Sequence, residues 1–264
     1  MQIGLSTAAF YGRWETEEAA AQMQALGMDC AEVFLQTDSE YTPAFARLVR
    51  EKLGGVPCTS VHPLGTQFEN GLFSRSPRQR RDALAQYCRV LDCAAELGAR
   101  CYVYHGRHTP QLRALPFDMQ ANAGVLETMG EEAARRGLAV AWENVCWCQL
   151  TTPQRVLEAR ATMPGVRFTL DIKQAMRAGC DPLQFVKAMG DGLFNVHVCD
   201  WDDSGRLCLP GEGSFDFAAL FAALHRAGYV GPVVMEPYLE LIADDGAIAR
   251  AAAFLRRAGR EAAG

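Results

Sequence analysis

Six side chains able to bind a metal stand at or near the ends of short apolar runs: His62, His105, Glu143, Asp171, His197 and Glu236. Glu143 shows the pattern most clearly. Residues 138–142 are small or apolar, follow Gly137, and run straight into Glu143 and Asn144. Bounded by Gly137 on one side and Thr151-Thr152-Pro153 on the other, this stretch reads as a strand covered on both faces. A carboxylate buried at the end of such a strand is costly unless a cation or a hydrogen-bond network meets it. One histidine in such a place is more often a hydrogen-bonded structural residue. Here three of the chain's five histidines fall at strand ends, beside three carboxylates. That convergence points to a metal site rather than to a purely structural polar network. Two Glu, one Asp and one His suit a hard or borderline divalent ion such as Mn²⁺, Mg²⁺, Co²⁺ or Zn²⁺.

Strands must present those residues, and the pattern predicts eight. They are expected at 2–7, 29–35, 56–62, 100–105, 138–143, 166–171, 193–198 and 230–236. Helices are expected at 16–26 (capped by Thr16), 43–53, 77–97, 118–136, 153–162, 182–189, 216–227 and 245–262. A polar loop carrying Gly65 and Gly71 separates the third strand from its helix. No low-complexity linker or composition shift divides residues 1–264, which are read as one domain. Regular strand–helix alternation implies a parallel sheet, and eight units of this length suit a closed (β/α)8 barrel. The alternative is an open doubly wound sheet. That fold would show a glycine-rich phosphate turn after its first strand, where this chain has Ser6-Thr7-Ala8-Ala9-Phe10. In a barrel, chemistry sits at the C-terminal ends of the strands, where the six residues fall.

Composition narrows the function classes. At 264 residues and 49% hydrophobic, the chain can bury a large core. A net charge of −5 argues against a nucleic-acid partner. No apolar run is long enough to span a bilayer, and residues 1–14 lack the charged and apolar regions of a signal peptide. A cytoplasmic protein with no membrane partner is expected. The ten cysteines are then reduced thiols buried as small hydrophobes. Cys146-Trp147-Cys148 lacks the spacing of a metal cluster.

Seven stretches together give the chain a resemblance. They are Ser60-Val61-His62-Pro63, Tyr104-His105-Gly106, Trp142-Glu143-Asn144, Leu170-Asp171-Ile172-Lys173-Gln174, Asn195-Val196-His197-Val198-Cys199-Asp200, Leu209-Pro210-Gly211-Glu212-Gly213 and Val234-Met235-Glu236. In order and spacing the chain resembles the xylose-isomerase-like TIM-barrel superfamily over essentially its whole length. That superfamily holds sugar isomerases and epimerases, inosose dehydratase relatives and endonuclease IV. In the epimerase branch the resemblance implies one divalent metal held by Glu143, Asp171, His197 and Glu236. It also implies that Glu143 and Glu236 face opposite sides of a bound ketose, one removing a proton beside the carbonyl and the other returning it through an enediolate. The expected activity is a metal-dependent isomerase or epimerase acting on a small carbohydrate. An inosose-type dehydratase on the same site is the nearest rival. An endonuclease IV-like phosphodiesterase and a non-catalytic sugar-binding barrel stand further off.

The chain departs from the superfamily at one point. Many relatives carry Asp-x-x-His on the sixth strand-loop, where this sequence has Gln174. Glutamine can hydrogen-bond a sugar oxygen but cannot exchange a proton near neutrality. The endonuclease branch also needs a later Asp-x-His, and residues 201–213 hold no histidine. His62 and His105 match two ligands of that branch's first zinc, which leaves a second metal beside Glu143 open; otherwise they line the sugar pocket. Trp14 and Trp201 either stack on a sugar or pack the rim. Lys173 and Arg107 either meet a phosphate or oxyanion or are solvated loop charges. Gly211 and Gly213 serve the seventh loop with Glu212 exposed, and Asp200 is expected to support His197 from outside. A homo-oligomer is left open.

Overall fold

Short strands that are buried on both faces cannot tolerate a free sheet edge, and a ring of eight removes it. A computed structural model describes residues 1–64, 66–107, 118–244 and 246–262. Its strands are β1 (Ile3–Ser6), β2 (Cys30–Leu35), β3 (Cys58–Pro63), β4 (Cys101–Tyr104), β5 (Ala139–Glu143), β6 (Arg167–Asp171) and β7 (Leu193–Val198). A small antiparallel hairpin, β8 (Asp200–Trp201) with β9 (Leu207–Cys208), interrupts the series before β10 (Val233–Met235). Parallel pairing runs from β1 through β7 in sequence, then to β10 and back to β1, closing a TIM barrel. Two registers align the strand ends that carry chemistry: Asp171 pairs with His197, and His197 pairs with Val234. Closure is tight at Gly4. A Cβ there would lie 2.7 Å from Cys30 Sγ and 2.9 Å from Cys30 O, so only glycine lets β1 approach β2 this closely.

The helices are α1 (Thr16–Gln22), α2 (Pro43–Lys52), α3 (Thr66–Leu72), α4 (Pro77–Leu97), α5 (Met119–Ala134), α6 (Pro153–Thr162), α7 (Ile172–Arg177), α8 (Pro182–Met189), α9 (Phe217–Arg226) and α10 (Ala247–Glu261). Their starts are legible. Thr42, Ser76, Thr152 and Asp181 each cap with the side chain, and each is followed by proline at the first helical position. The main core lies between sheet and helices. Tyr102, Tyr104, Trp142 and Phe168 are fully or almost fully buried there, against residues such as Tyr87 and Phe185 from the helices. With those side chains turned outward, the alternate positions point into the barrel.

Besides the β8–β9 hairpin in the expected seventh loop and a first helix that ends at Gln22, elements differ from the expected ones in four ways. Thr16 does not cap α1; Glu15 does, in a reciprocal capping box with Glu18. The expected polar loop after β3 contains α3, whose face carries buried Phe68 and Leu72; Gly65 lies outside the described residues. An additional short helix, α7, follows β6 directly, because Asp171 caps it by accepting from Gln174 N–H. The last strand begins at Val233 rather than at 230, since Val230 is 86% exposed and Pro232 has no N–H to pair. The expected helix start at Asp245 also falls outside the described residues. All ten cysteines are free thiols. Among the described residues no helix is long and apolar enough to cross a membrane.

Candidate metal centre

Strand ends gather the six sequence-derived residues at one mouth. Glu143 closes β5, Asp171 closes β6, His197 sits one residue before the end of β7, and Glu236 follows β10 directly. Glu236 N–H continues the pairing by donating to Val198 O at 3.1 Å, so it is placed by backbone, not by a loose loop. Asn144 joins β5 to β6. Its Nδ2 donates to Asp171 O at 2.9 Å and its Oδ1 accepts Asp171 N–H at 2.7 Å. One Asp171 oxygen, Oδ1, caps α7, which turns Oδ2 toward the cluster. His197 Nδ1 lies 3.4 Å from Glu143 Oε1 and 3.9 Å from Glu236 Oε2. His62 on β3 and His105 just after β4 meet at 2.5 Å through their Nε2 atoms, and His105 Nε2 is 3.4 Å from Glu143 Oε2.

Such a concentration of buried charge drives protonation in opposite directions. Burial above all pushes the Glu143 carboxyl up to about 8, against the pull of His197. Burial opposes ionisation of Glu236 as well, but Lys173, then His197 and His62, outweigh it and hold that carboxyl well below the usual range. His197 is disfavoured as a cation by burial, yet Glu32 and Glu236 keep it protonated well above the ordinary imidazole range. His62 and His105 go the other way: burial lowers both, His105 strongly.

The donor set fits a divalent cation. One ligand atom each from Glu143, Asp171, His197 and Glu236 all lie within 4.8 Å of one another. Glu143 Oε2 and Asp171 Oδ2 are buried with no hydrogen-bond partner among the described residues, which is where an ion would complete their coordination. Three carboxylates and one imidazole are the chemistry of a hard or borderline ion. His62, His105 and Glu143 form a second group by the same measure, and Glu32, His62 and Glu236 a third.

The remaining sequence-derived residues distribute unevenly around this centre. Lys173 is buried rather than solvated. Its Nζ is 2.9 Å from Glu236 Oε2, 3.6 Å from Asp171 Oδ2 and 5.0 Å from the centre of the Tyr238 ring. Gln174 Oε1 accepts Cys146 N–H at 3.3 Å, tying α7 to the loop after β5. Arg107 is exposed, with its carbonyl held by Gln149 Nε2 at 2.5 Å. Trp14 and Trp201 each pack against another aromatic ring. Trp14 packs on Phe10 with Arg13 over its ring, and Trp201 packs on Phe215 beside a cavity of about 630 Å³ that Met176, Pro182 and Asp216 also line. The aromatic faces near the histidines are Phe34, 5.3 Å from His62, and Trp147, 5.8 Å from His105.

Asp200 corrects an expectation. Its carboxylate accepts four backbone N–H groups, from Trp201, Gly211, Gly213 and Phe215, and organises the seventh loop instead of supporting His197. The spacing explains this: three residues is an odd step, which turns Asp200 to the other face of the chain. Gly211 and Gly213 do serve this loop. A Cβ on Gly213 would overlap Trp201 O, and Gly211 has φ +91°. Glu32 and Glu69 are among the buried acids that do not stand at strand ends. Glu32, in mid-β2, is 0% exposed and reaches His197 Nε2 at 2.8 Å. Glu69 on α3 accepts from Tyr102 Oη, and burial pushes it up to about 8. The sequence signal for Glu32 is a lone acid inside the apolar run Cys30-Ala31-Glu32-Val33-Phe34-Leu35.

Comparison with known proteins agrees with this fold. Residues 20–258 match the family model described as xylose isomerase-like TIM barrel. A 3-dehydroshikimate dehydratase of Pseudomonas putida is 28% identical over 251 residues, covering 89% of this chain and 38% of that protein. This chain therefore spans well under half the length of that relative. The crystal structure of a D-tagatose 3-epimerase-like protein superimposes with a TM-score of 0.81 at 19% identity, covering 100% of both chains. The IOLI protein, solved with a bound zinc atom, superimposes with a TM-score of 0.74 at 16% identity, covering 99% of this chain and 98% of that one.

Proposed function

We propose that this chain, which belongs to the xylose isomerase-like TIM-barrel family, is a divalent-metal-dependent isomerase or epimerase of a small carbohydrate. The observation that carries the reading is the buried cluster of Glu143, Asp171, His197 and Glu236, with two of its buried carboxylate oxygens lacking a hydrogen bond among the described residues. These four residues would hold the ion, which when bound supplies charge to a substrate carbonyl and acidifies the neighbouring carbon. Glu143 and Glu236 come from strands separated by β6 and β7, so they approach a substrate from two sides. One takes the proton beside the carbonyl and the other delivers a proton to the enediolate. Lys173, held against Glu236, orients that carboxylate. Phe34 and Trp147 flank the histidines and exclude water from the sugar face. The family name supports a polyhydroxylated substrate.

A second reading has its own support. The dehydratase relative raises the prospect that loss of a β-hydroxyl as water follows proton removal, so that the same centre acts as a lyase. The two readings share the first step and separate at the second. In D₂O with a panel of ketoses and cyclic hydroxy-ketones, Glu236→Gln and Glu143→Gln should each lose solvent-deuterium incorporation by roughly a hundredfold or more. Wild-type exchange in both variants would refute the two-carboxylate mechanism. An unsaturated product one water lighter than its substrate would decide for the lyase.

A further inference from the structure

We propose that Glu32 is a positioning residue that fixes the ring of His197 so that Nδ1 faces the metal cluster. This role rests on the metal reading for its consequence, though not for its geometry. Glu32 lies on β2 and His197 on β7, with β1 and β10 between them, so their contact crosses the barrel interior. Glu32 Oε2 is 2.8 Å from His197 Nε2 and also accepts from Ser60 Oγ at 2.7 Å and Asn195 Nδ2 at 3.3 Å. Ser60 is two residues before His62, and Asn195 two before His197. The period of a strand therefore puts Ser60 and Asn195 on the inward face, one layer below the mouth. All four groups are buried, Glu32, Ser60 and Asn195 at 0% exposure.

This buried layer decides which nitrogen of His197 keeps its hydrogen when an ion displaces the other. Asn195 Nδ2 is also 3.0 Å from His197 Nε2, and an amide donor facing that nitrogen would ask it to accept. A carboxylate can only accept when ionised, so Nε2–H points at Glu32 Oε2, and Asn195 donates to the same oxygen. With Nε2 committed as donor to Glu32, Nδ1, 3.4 Å from Glu143 and 3.9 Å from Glu236, is the nitrogen whose proton a bound ion would displace and whose lone pair it would then meet. A carboxylate behind a metal-binding imidazole holds its tautomer and raises its basicity. The strand geometry alone would not do this, because either nitrogen can be protonated on a free imidazole.

The test uses the full chain labelled with ¹⁵N-histidine, with Glu32→Gln and Glu32→Leu variants. A slowly exchanging Nε2–H resonance, assigned by its loss in His197→Asn, should be present in wild type and in Glu32→Gln. It should vanish in Glu32→Leu. Calorimetric titration of the same proteins with Mn²⁺ should weaken by roughly 10–100-fold in Glu32→Leu and much less in Glu32→Gln, whose amide oxygen can still accept. Should Glu32→Leu fail to fold, Glu32→Met provides the same loss of acceptor. Wild-type protein with no protected Nε2–H overturns the proposal, as does a leucine variant that binds Mn²⁺ as tightly as wild type. A wild-type protein that keeps the Nε2–H signal yet binds no Mn²⁺ supports the positioning role and refutes the metal reading instead.

Discussion

His62 and His105 pose the sharpest question about single residues, because two imidazole nitrogens 2.5 Å apart share either a proton or a cation. Charge decides between these. The group of Glu143, Asp171, His197 and Glu236 brings three carboxylates to a dication, whereas His62, His105 and Glu143 bring one, already committed to the first group. Burial keeps both imidazoles neutral, so they can accept or donate a hydrogen bond to a hydroxyl without an ion. Metal analysis of the purified protein should therefore give one equivalent, unchanged in the His62→Ala, His105→Ala double variant, while turnover falls. Two equivalents dropping to one in that variant would establish a dinuclear centre bridged by Glu143. Phosphoester or lactone hydrolysis would then become the chemistry to assay.

At the scale of elements, the seventh loop shows how much a pattern reveals. Alternating apolar runs and capped helices make the barrel legible, because Thr42-Pro43, Ser76-Pro77, Thr152-Pro153 and Asp181-Pro182 each mark a start that the structure keeps. The acids at strand ends are legible for the same reason: an acid after an apolar strand has to be met by something. Glu32 obeys the same rule inside β2 but lies away from the end, where only the neighbouring layer reveals its partner. α3 is hidden because it is a short helix of mostly polar and glycine residues held by Phe68 and Leu72, a tertiary effect that local preference does not report. The role of Asp200 is hidden because its four partners are backbone groups, which have no sequence signature. Asp200→Ala leaves those N–H groups without their acceptor and should cost at least about 2 kcal/mol. On a chain of this size that lowers Tm by roughly 4–8 °C, measured by calorimetry. Metal stoichiometry should stay the same, and its loss would return Asp200 to a supporting role behind His197.

The whole barrel stores charge at its mouth, and the ion should therefore govern the stability of the entire fold. His197 and Glu143 both bind their protons more tightly in the folded chain than in the unfolded one. A group of that kind contributes stability fully present below its unfolded pKa, and the contribution is lost as pH rises toward the folded value. Without an ion, the protein should thus lose stability as pH rises from the ordinary carboxylate range to about 8, where folded Glu143 titrates, with His197 adding to the loss above the ordinary imidazole range. Glu236 works in the opposite sense, since its carboxyl is held low, but its contribution is lost only on acidification below the ordinary carboxylate range. A divalent cation must expel the protons on His197 and Glu143 to bind, so its affinity should rise over the same interval in which the ion-free barrel weakens. Mn²⁺ at about 100-fold over its Kd adds about 2.7 kcal/mol to the folded state. For 264 residues that is a Tm increase of roughly 5–10 °C. Scanning calorimetry with Mn²⁺ and with EDTA should show a gap between the two melting curves that widens steadily from about pH 6 to about pH 8. A gap that is constant, or wider at the acid end, would mean that the ion displaces no proton, and that His197 and Glu143 do not hold it together.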